Sequence, residues 1–176
     1  QLPHLELARE IVRRFNHLFG PVFPEPQAKL TQFPLIMGLD GVNKMSKSYN
    51  NHIEIASSPQ QILERVMTAV TDPARRYRSD QGHPEICNIF SLHKFFTPDR
   101  VDEIASDCRR AGIGCVECKK LLAANIASNL EPFREKRAAL SNKPDYIAEV
   151  LADGATRAEA IAKETIREVK QKMKLL

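Results

Sequence analysis

Apolar residues recur every three to four positions in several stretches of this chain, and that period predicts helices. Over residues 3–19, Leu5, Ala8, Val12, Phe15 and Phe19 share one face, with Glu6, Arg9, Arg13 and Arg14 between them. Gly20-Pro21 ends that helix, and residues 21–34, which hold four prolines, read as loop. Two short segments break the helical pattern. "LIMGL" at 35–39 suits a buried strand end, and "HIEIA" at 52–56 alternates as a second extended piece.

After residue 57 the period is helical throughout. Ser58-Pro59-Gln60-Gln61 is a helix start, with Ser58 as N-cap, Pro59 at the first position and Gln61 closing a capping box. Ile62, Val66, Ala69 and Val70 form its apolar stripe, and Asp72-Pro73 breaks it. "ICNIFSLHKFF" at 86–96 is the most apolar segment and is expected to form a core helix. A helix is expected from Thr97-Pro98-Asp99 to Ala111, ended by Gly112, and a long one over residues 115–141. "KPDYIAEVLADG" should be a short helix closed by Gly154. A last helix over 156–173 is expected to turn Ala158, Ile161, Ala162, Thr165, Ile166 and Val169 inward. The change of period places a boundary near Ser57: a β-containing part over residues 1–56, and an all-helical part over 57–176.

At 43% apolar and 27% charged residues, the 176-residue chain can bury a core. Its net charge of +4 is compatible with a nucleic-acid partner without requiring one. No apolar run approaches the roughly 20 residues of a membrane span. No secretory leader precedes the first helix, so a cytoplasmic, reducing location is expected and the four cysteines read as thiols or metal ligands rather than disulfides. Gln1 stands where a methionine would open a gene product, which reads as a polypeptide cut within something larger.

The densest chemistry lies in "GLDGVNKMSKSYNN" at 38–51. Glycines, hydroxyls and two ammonium groups on one loop suit a polyphosphate, whose charge lysine neutralises and whose oxygens accept from serine and backbone N–H groups. A solvated basic turn is the other reading of such a stretch. Arg75, Arg76 and Arg78 invite the same pair of readings, contact with RNA phosphate or a solvated turn.

"KMSKS" at 44–48 matches the signature loop of class I aminoacyl-tRNA synthetases letter for letter. "HLELAREIVRRFN" at 4–16, "AVTDPARRYRSDQGHPEICNIFSLHKFF" at 69–96 and "DGATRAEAIAKETIREV" at 153–169 extend the likeness along the chain. Together they resemble bacterial-type tryptophanyl-tRNA synthetases. The resemblance implies a mainly α fold: the end of a Rossmann-type catalytic domain over 1–56, then a helical anticodon-binding domain over 57–176. It implies activation of tryptophan by ATP, with Mg²⁺ on the phosphates, transfer to tRNA(Trp), and a homodimer in the full-length enzyme. The family's first half, with its HIGH-type ATP motif, has no counterpart in these residues, so this chain alone is expected to be inactive. By motif position Lys44 and Lys47 would meet the phosphates, Ser46 and Ser48 would support them, and Met45 and Ile36 would lie at the adenine. Gln1 aligns with a glutamine that helps to bind the amino acid. The alternative is a non-catalytic RNA-binding or interaction module descended from a synthetase.

Cys87, Cys108, Cys115 and Cys118 follow the spacing C-x20-C-x6-C-x2-C and are all the cysteines of the chain. Three lie within eleven residues, among Arg109, Arg110, Lys119 and Lys120, a basic setting that would favour thiolate over thiol. Gly112 and Gly114 are expected to bend the backbone between Cys108 and Cys115. One close pair plus two remote cysteines departs from the paired knuckles of zinc ribbons and is closer to cluster ligation; zinc and four separate thiols remain alternatives. The pattern also resembles a subset of tryptophanyl-tRNA synthetases with a cysteine-ligated [4Fe–4S] cluster.

Overall fold

The computed structural model describes all residues 1–176 and contains no β-strand. It divides into two units, Gln1–Thr31 with Asn142–Leu176, and Gln32–Ser141.

In the first unit, α1 spans Leu2–Phe19 and stops at Gly20, whose φ of +93° is one that L side chains rarely adopt. Asn16 folds the proline-rich segment back on the helix. Its Oδ1 accepts from the amides of Val22 (3.0 Å) and Phe23 (3.1 Å), and its Nδ2 donates to the Phe23 carbonyl. Phe15 then packs between Phe19 and Phe23, with centroids 5.0 and 5.1 Å away. The second helix of this unit, called α6 for its place in the chain, is unbroken over Pro144–Lys172. Gly154 therefore does not end a helix. Helix formers flank it on both sides, and a single interior glycine costs only about 1 kcal/mol against alanine. The face expected to turn inward is largely uncovered: Ile161 is 69% and Ile166 51% exposed, and only Thr165 and Val169 are half-buried.

The second unit holds the core. Its helices are α2 (Pro59–Met67), α3 (Asn88–Phe96), α4 (Val101–Arg109) and α5 (Cys115–Ser141). The capping box of α2 forms as the sequence predicts: Ser58 Oγ accepts from the Gln61 amide, and Gln61 Oε1 accepts from the Ser58 amide. Ile62 and Val66 of α2, Ile89 and Leu92 of α3, Ile104 of α4, and Leu122 and Ile126 of α5 make one fully buried cluster. Each such side chain stabilises the fold by about 1.5–3 kcal/mol. His93 is buried among them. Its ring lies 3.0 Å from Thr97 Oγ1 and 3.2 Å from the Cys118 carbonyl, and burial pushes its pKa down, which keeps it neutral.

Two local expectations are corrected. The β-containing part forms no strand; its only pairing is an isolated antiparallel bridge between Met37 and Lys44. Residues 52–56 have no neighbouring strand to pair with, and Ile53 packs on the helical cluster instead. The break after α4 is made by Ala111, at φ +57°, rather than by Gly112.

The contrast between the two units is testable by denaturation. Leu122→Ala should cost about 2–5 kcal/mol, as cavity-forming core substitutions do. Ile161→Ala, on the exposed face of α6, should stay within about 0.5 kcal/mol. Equal costs would show that the exposed stripe is packed.

Candidate functional site

The loop of residues 36–51 is a folded object. The Met45 amide donates to the Ile36 carbonyl (2.8 Å), the Gly38 amide to the Asn43 carbonyl (2.8 Å), and the Gly41 amide to the Gly38 carbonyl (3.0 Å). Gly41 takes φ +70° at the tip. Ser46 then caps a single 3-10 turn, Lys47–Tyr49, with its Oγ accepting from the Ser48 amide, and Asn50 closes the turn in the left-handed region at φ +49°.

Two side chains brace this loop from inside. Asp40 Oδ1 accepts from the amides of Val42 (3.0 Å) and Asn43 (3.1 Å), and its Oδ2 accepts from the side chains of Asn43 (3.1 Å) and Asn51 (2.9 Å). The Asn51 amide, then the Val42 amide, hold the Asp40 carboxyl down to about 2. Asn51 is 4% exposed. Its Oδ1 accepts from the Ser46 amide (2.7 Å), and its Nδ2 donates to the Lys44 carbonyl (3.2 Å) as well as to Asp40. Sequence reasoning passed over Asn51; the asparagine pair after the lysine–serine stretch was the available signal.

The residues expected to meet ATP divide by exposure. Lys44, Lys47 and Ser48 are exposed, whereas Met45, Ser46 and Ile36 are half-buried. Neither lysine enters an ion pair. Lys47 lines an open groove of ≈ 560 Å³ with Phe133 and Arg137 of α5. Gln1 is exposed at the start of α1, where its carbonyl accepts from the Leu5 amide.

The four cysteines come from three places: Cys87 precedes α3 as its N-cap, Cys108 lies in the last turn of α4, and Cys115 and Cys118 share the first turn of α5. All four line one small cavity of ≈ 20 Å³ together with Asp72 and Arg75. No group of three or more His, Cys, Asp or Glu side chains in the structure is arranged to hold a metal ion.

The electrostatics of this cavity differ from the expectation. The neighbours in sequence are engaged by other partners: Arg109 pairs with Glu85, Arg110 with Asp107, and Lys119, still within electrostatic reach of Cys115 and Cys87, donates to the Met67 carbonyl. Burial, reinforced by the other three cysteines, pushes the Cys118 thiol up to about 12. Burial also raises Cys108, opposed by Arg75. The cation that lines this cavity is Arg75, which lies far away in sequence. Its Nη1 stands 3.9 Å from Cys108 Sγ, its Nη2 donates to the Ile113 carbonyl, and its Nε is buried without a partner.

Arg78 donates to the carbonyls of Ala111 and Gly112, so two of the three clustered arginines brace the 111–113 turn instead of forming a solvated patch. Gly114 lies under the Arg78 side chain, whose Cδ a Cβ there would meet at 2.8 Å. Gly82 is the glycine that sequence reasoning missed: a Cβ there would lie 2.4 Å from Cys108 Sγ.

Residues 1–131 match the family described as tRNA synthetases class I (W and Y). The tryptophan–tRNA ligase of Aquifex aeolicus is 46% identical over 99% of this chain and 45% of its own length. That of Deinococcus radiodurans is 44% identical over 100% of this chain and 54% of its own. The chain thus spans about half the length of the curated relatives that it matches. The crystal structure of tryptophanyl-tRNA synthetase from Campylobacter jejuni complexed with ADP and tryptophan superposes with a TM-score of 0.77 at 32% identity, over 97% of this chain and 53% of that one. An intact KMSKS loop on a braced turn and this family match lead to one assignment: the chain belongs to the class I tRNA synthetases of the tryptophan and tyrosine group.

Proposed function

We propose that these residues are the C-terminal part of a cytoplasmic tryptophan–tRNA ligase, which joins tryptophan to the α-phosphate of ATP, releases pyrophosphate and passes the tryptophanyl group to tRNA(Trp). The observation that carries this reading is the loop itself: two unpaired lysines held outward on a turn whose polar interior is fully bonded. In such a reaction negative charge moves onto the departing pyrophosphate, and catalysis rests on positioning and electrostatics. Lys44 and Lys47 supply the positive charge, Ser46 and Ser48 the hydroxyls, and Met45 and Ile36 the apolar side toward adenine. Gln1 contributes to the amino-acid site. Mg²⁺ belongs to the nucleotide, and no side chain of this chain is assigned to it. Residues 1–56 serve the ATP site and residues 57–176 the anticodon, with the full-length enzyme a homodimer. The braced loop speaks against a non-catalytic RNA-binding descendant, in which nothing would maintain it.

Cys87, Cys108, Cys115 and Cys118 are assigned to one [4Fe–4S] cluster rather than to zinc. Four thiolates on one zinc, at Zn–S distances of about 2.3 Å, would stand roughly 3.8 Å apart. The sulfurs here share a cavity, yet no three are arranged to hold one ion. In a cluster each cysteine binds a different iron, so its ligands stand farther apart. The buried, unpartnered Nε of Arg75 fits a site that gains negative charge. The present cavity has room for about one water molecule, so the thiols must swing apart to seat the cluster. Once bound, the cluster would cross-link the starts of α3 and α5 to the end of α4.

Four outcomes are expected. In tryptophan-dependent ATP–pyrophosphate exchange, the 176-residue chain alone should be inactive. In the longest gene product carrying this sequence, Lys47→Ala should cut exchange by about 10²–10³-fold, which is about 3–4 kcal/mol of lost charge stabilisation. Undiminished exchange in that variant would refute the loop assignment. Protein purified without oxygen should be brown, with about four iron and four sulfide per chain. Loading should strengthen as pH rises, because thiols with raised pKa values must release protons to bind. A colourless preparation with one zinc per chain would select the alternative.

A further inference from the structure

We propose that Asn51 is the positioning residue of the KMSKS loop: its buried carboxamide sets where Lys44 and Lys47 stand for adenylate formation, without itself touching the nucleotide. This inference rests on the ligase reading above.

The carboxamide bonds on both sides of Met45, accepting from the Ser46 amide and donating to the Lys44 carbonyl. It therefore fixes the two peptide groups that flank Met45, the first of which belongs to Lys44. Ser46 in turn caps the 3-10 turn that begins with Lys47. The third bond, to Asp40, ties the motif to the tip of the preceding turn. This pattern needs two donors and an acceptor on one short side chain, which an amide supplies and a hydroxyl, with its single donor, does not. An aspartate of the same shape keeps the bond from Ser46 but sets a carboxylate against both Asp40 and the Lys44 carbonyl.

The backbone of Asn51 is anchored separately, to the helical core. Its carbonyl accepts from the Leu39 amide (2.7 Å), and the Leu39 carbonyl accepts from the Val70 amide (2.9 Å). Arg65 of α2 donates to the carbonyls of Asn50 and His52, on either side. Asn88, at the start of α3, donates to the Gly38 carbonyl (2.8 Å). Gly38 leaves the seat open, since a Cβ there would lie 2.0 Å from Asn51 Nδ2. The residue is thus held by the helices through its main chain and holds the lysines through its side chain.

The test is steady-state pyrophosphate exchange by the longest gene product carrying this sequence, with Asn51→Asp, the double variant Asp40→Asn/Asn51→Asp, and Lys47→Ala, each checked by thermal unfolding. Asn51→Asp should lower kcat by about 10²-fold, the scale of a misplaced reacting group, and leave KM for tryptophan unchanged. The double variant returns a donor to the 40–51 contact and should recover about tenfold of that loss. Wild-type kcat in Asn51→Asp, while Lys47→Ala still fails, overturns the positioning role and leaves the ligase reading standing. A loss that tracks the melting temperature, with no rescue in the double variant, also overturns it. Undiminished exchange in Lys47→Ala overturns the ligase reading, and this inference with it.

Discussion

The carboxamide of Asn51 is the constraint on which the loop depends. A buried amide must satisfy both its ends, and leaving a buried polar group unpaired costs about 1–3 kcal/mol. Here the partners are the Ser46 amide, the Lys44 carbonyl and Asp40, all on the segment that carries the lysines. The loop can therefore place two cations in solvent without a carboxylate partner and still hold one backbone path. Asp40 holds the other end of the same brace. Its carboxyl is held down to about 2, so it stays an acceptor at neutral pH.

The same economy governs the cysteine cavity. Its cysteines arrive from the ends of three helices, and the loops that deliver them are stapled by arginines and by Asp72. Asp72 accepts from the amides of Ala74 and His83, with the His83 ring 2.9 Å away. Arg75 and Arg78 close the 111–113 turn across more than thirty residues of sequence. The thiols are thus brought together by protein–protein contacts, and burial keeps Cys108 and Cys118 protonated until something displaces their protons.

Much of this was legible in the residues. Ser58 and Gln61 announce the capping box of α2, the 86–96 segment is apolar enough to mark α3, and 115–141 runs without a strong breaker except Pro132. What escaped depended on partners remote in sequence. Residues 52–56 alternate as a strand does, but no strand lies beside them. Gly154 looks like a stop, but nothing in its surroundings asks the chain to turn. Arg109 adjoins Cys108 in sequence yet pairs with Glu85, whereas Arg75, thirty-three residues from Cys108, reaches its sulfur. Asn51 is a short polar residue until Gly38, Asp40 and Ser46 are folded around it.

Hydrogen exchange resolved to single amides over residues 38–51, with and without ATP, tests the braced loop most directly. The account predicts slow exchange at Gly38, Leu39 and Ser46 in both states, because their amides are bonded inside the turn. It predicts that the Lys47 amide slows only when ATP is present. Fast exchange at all of these amides without ATP would contradict it, since the loop would then be ordered by the nucleotide and not by Asn51.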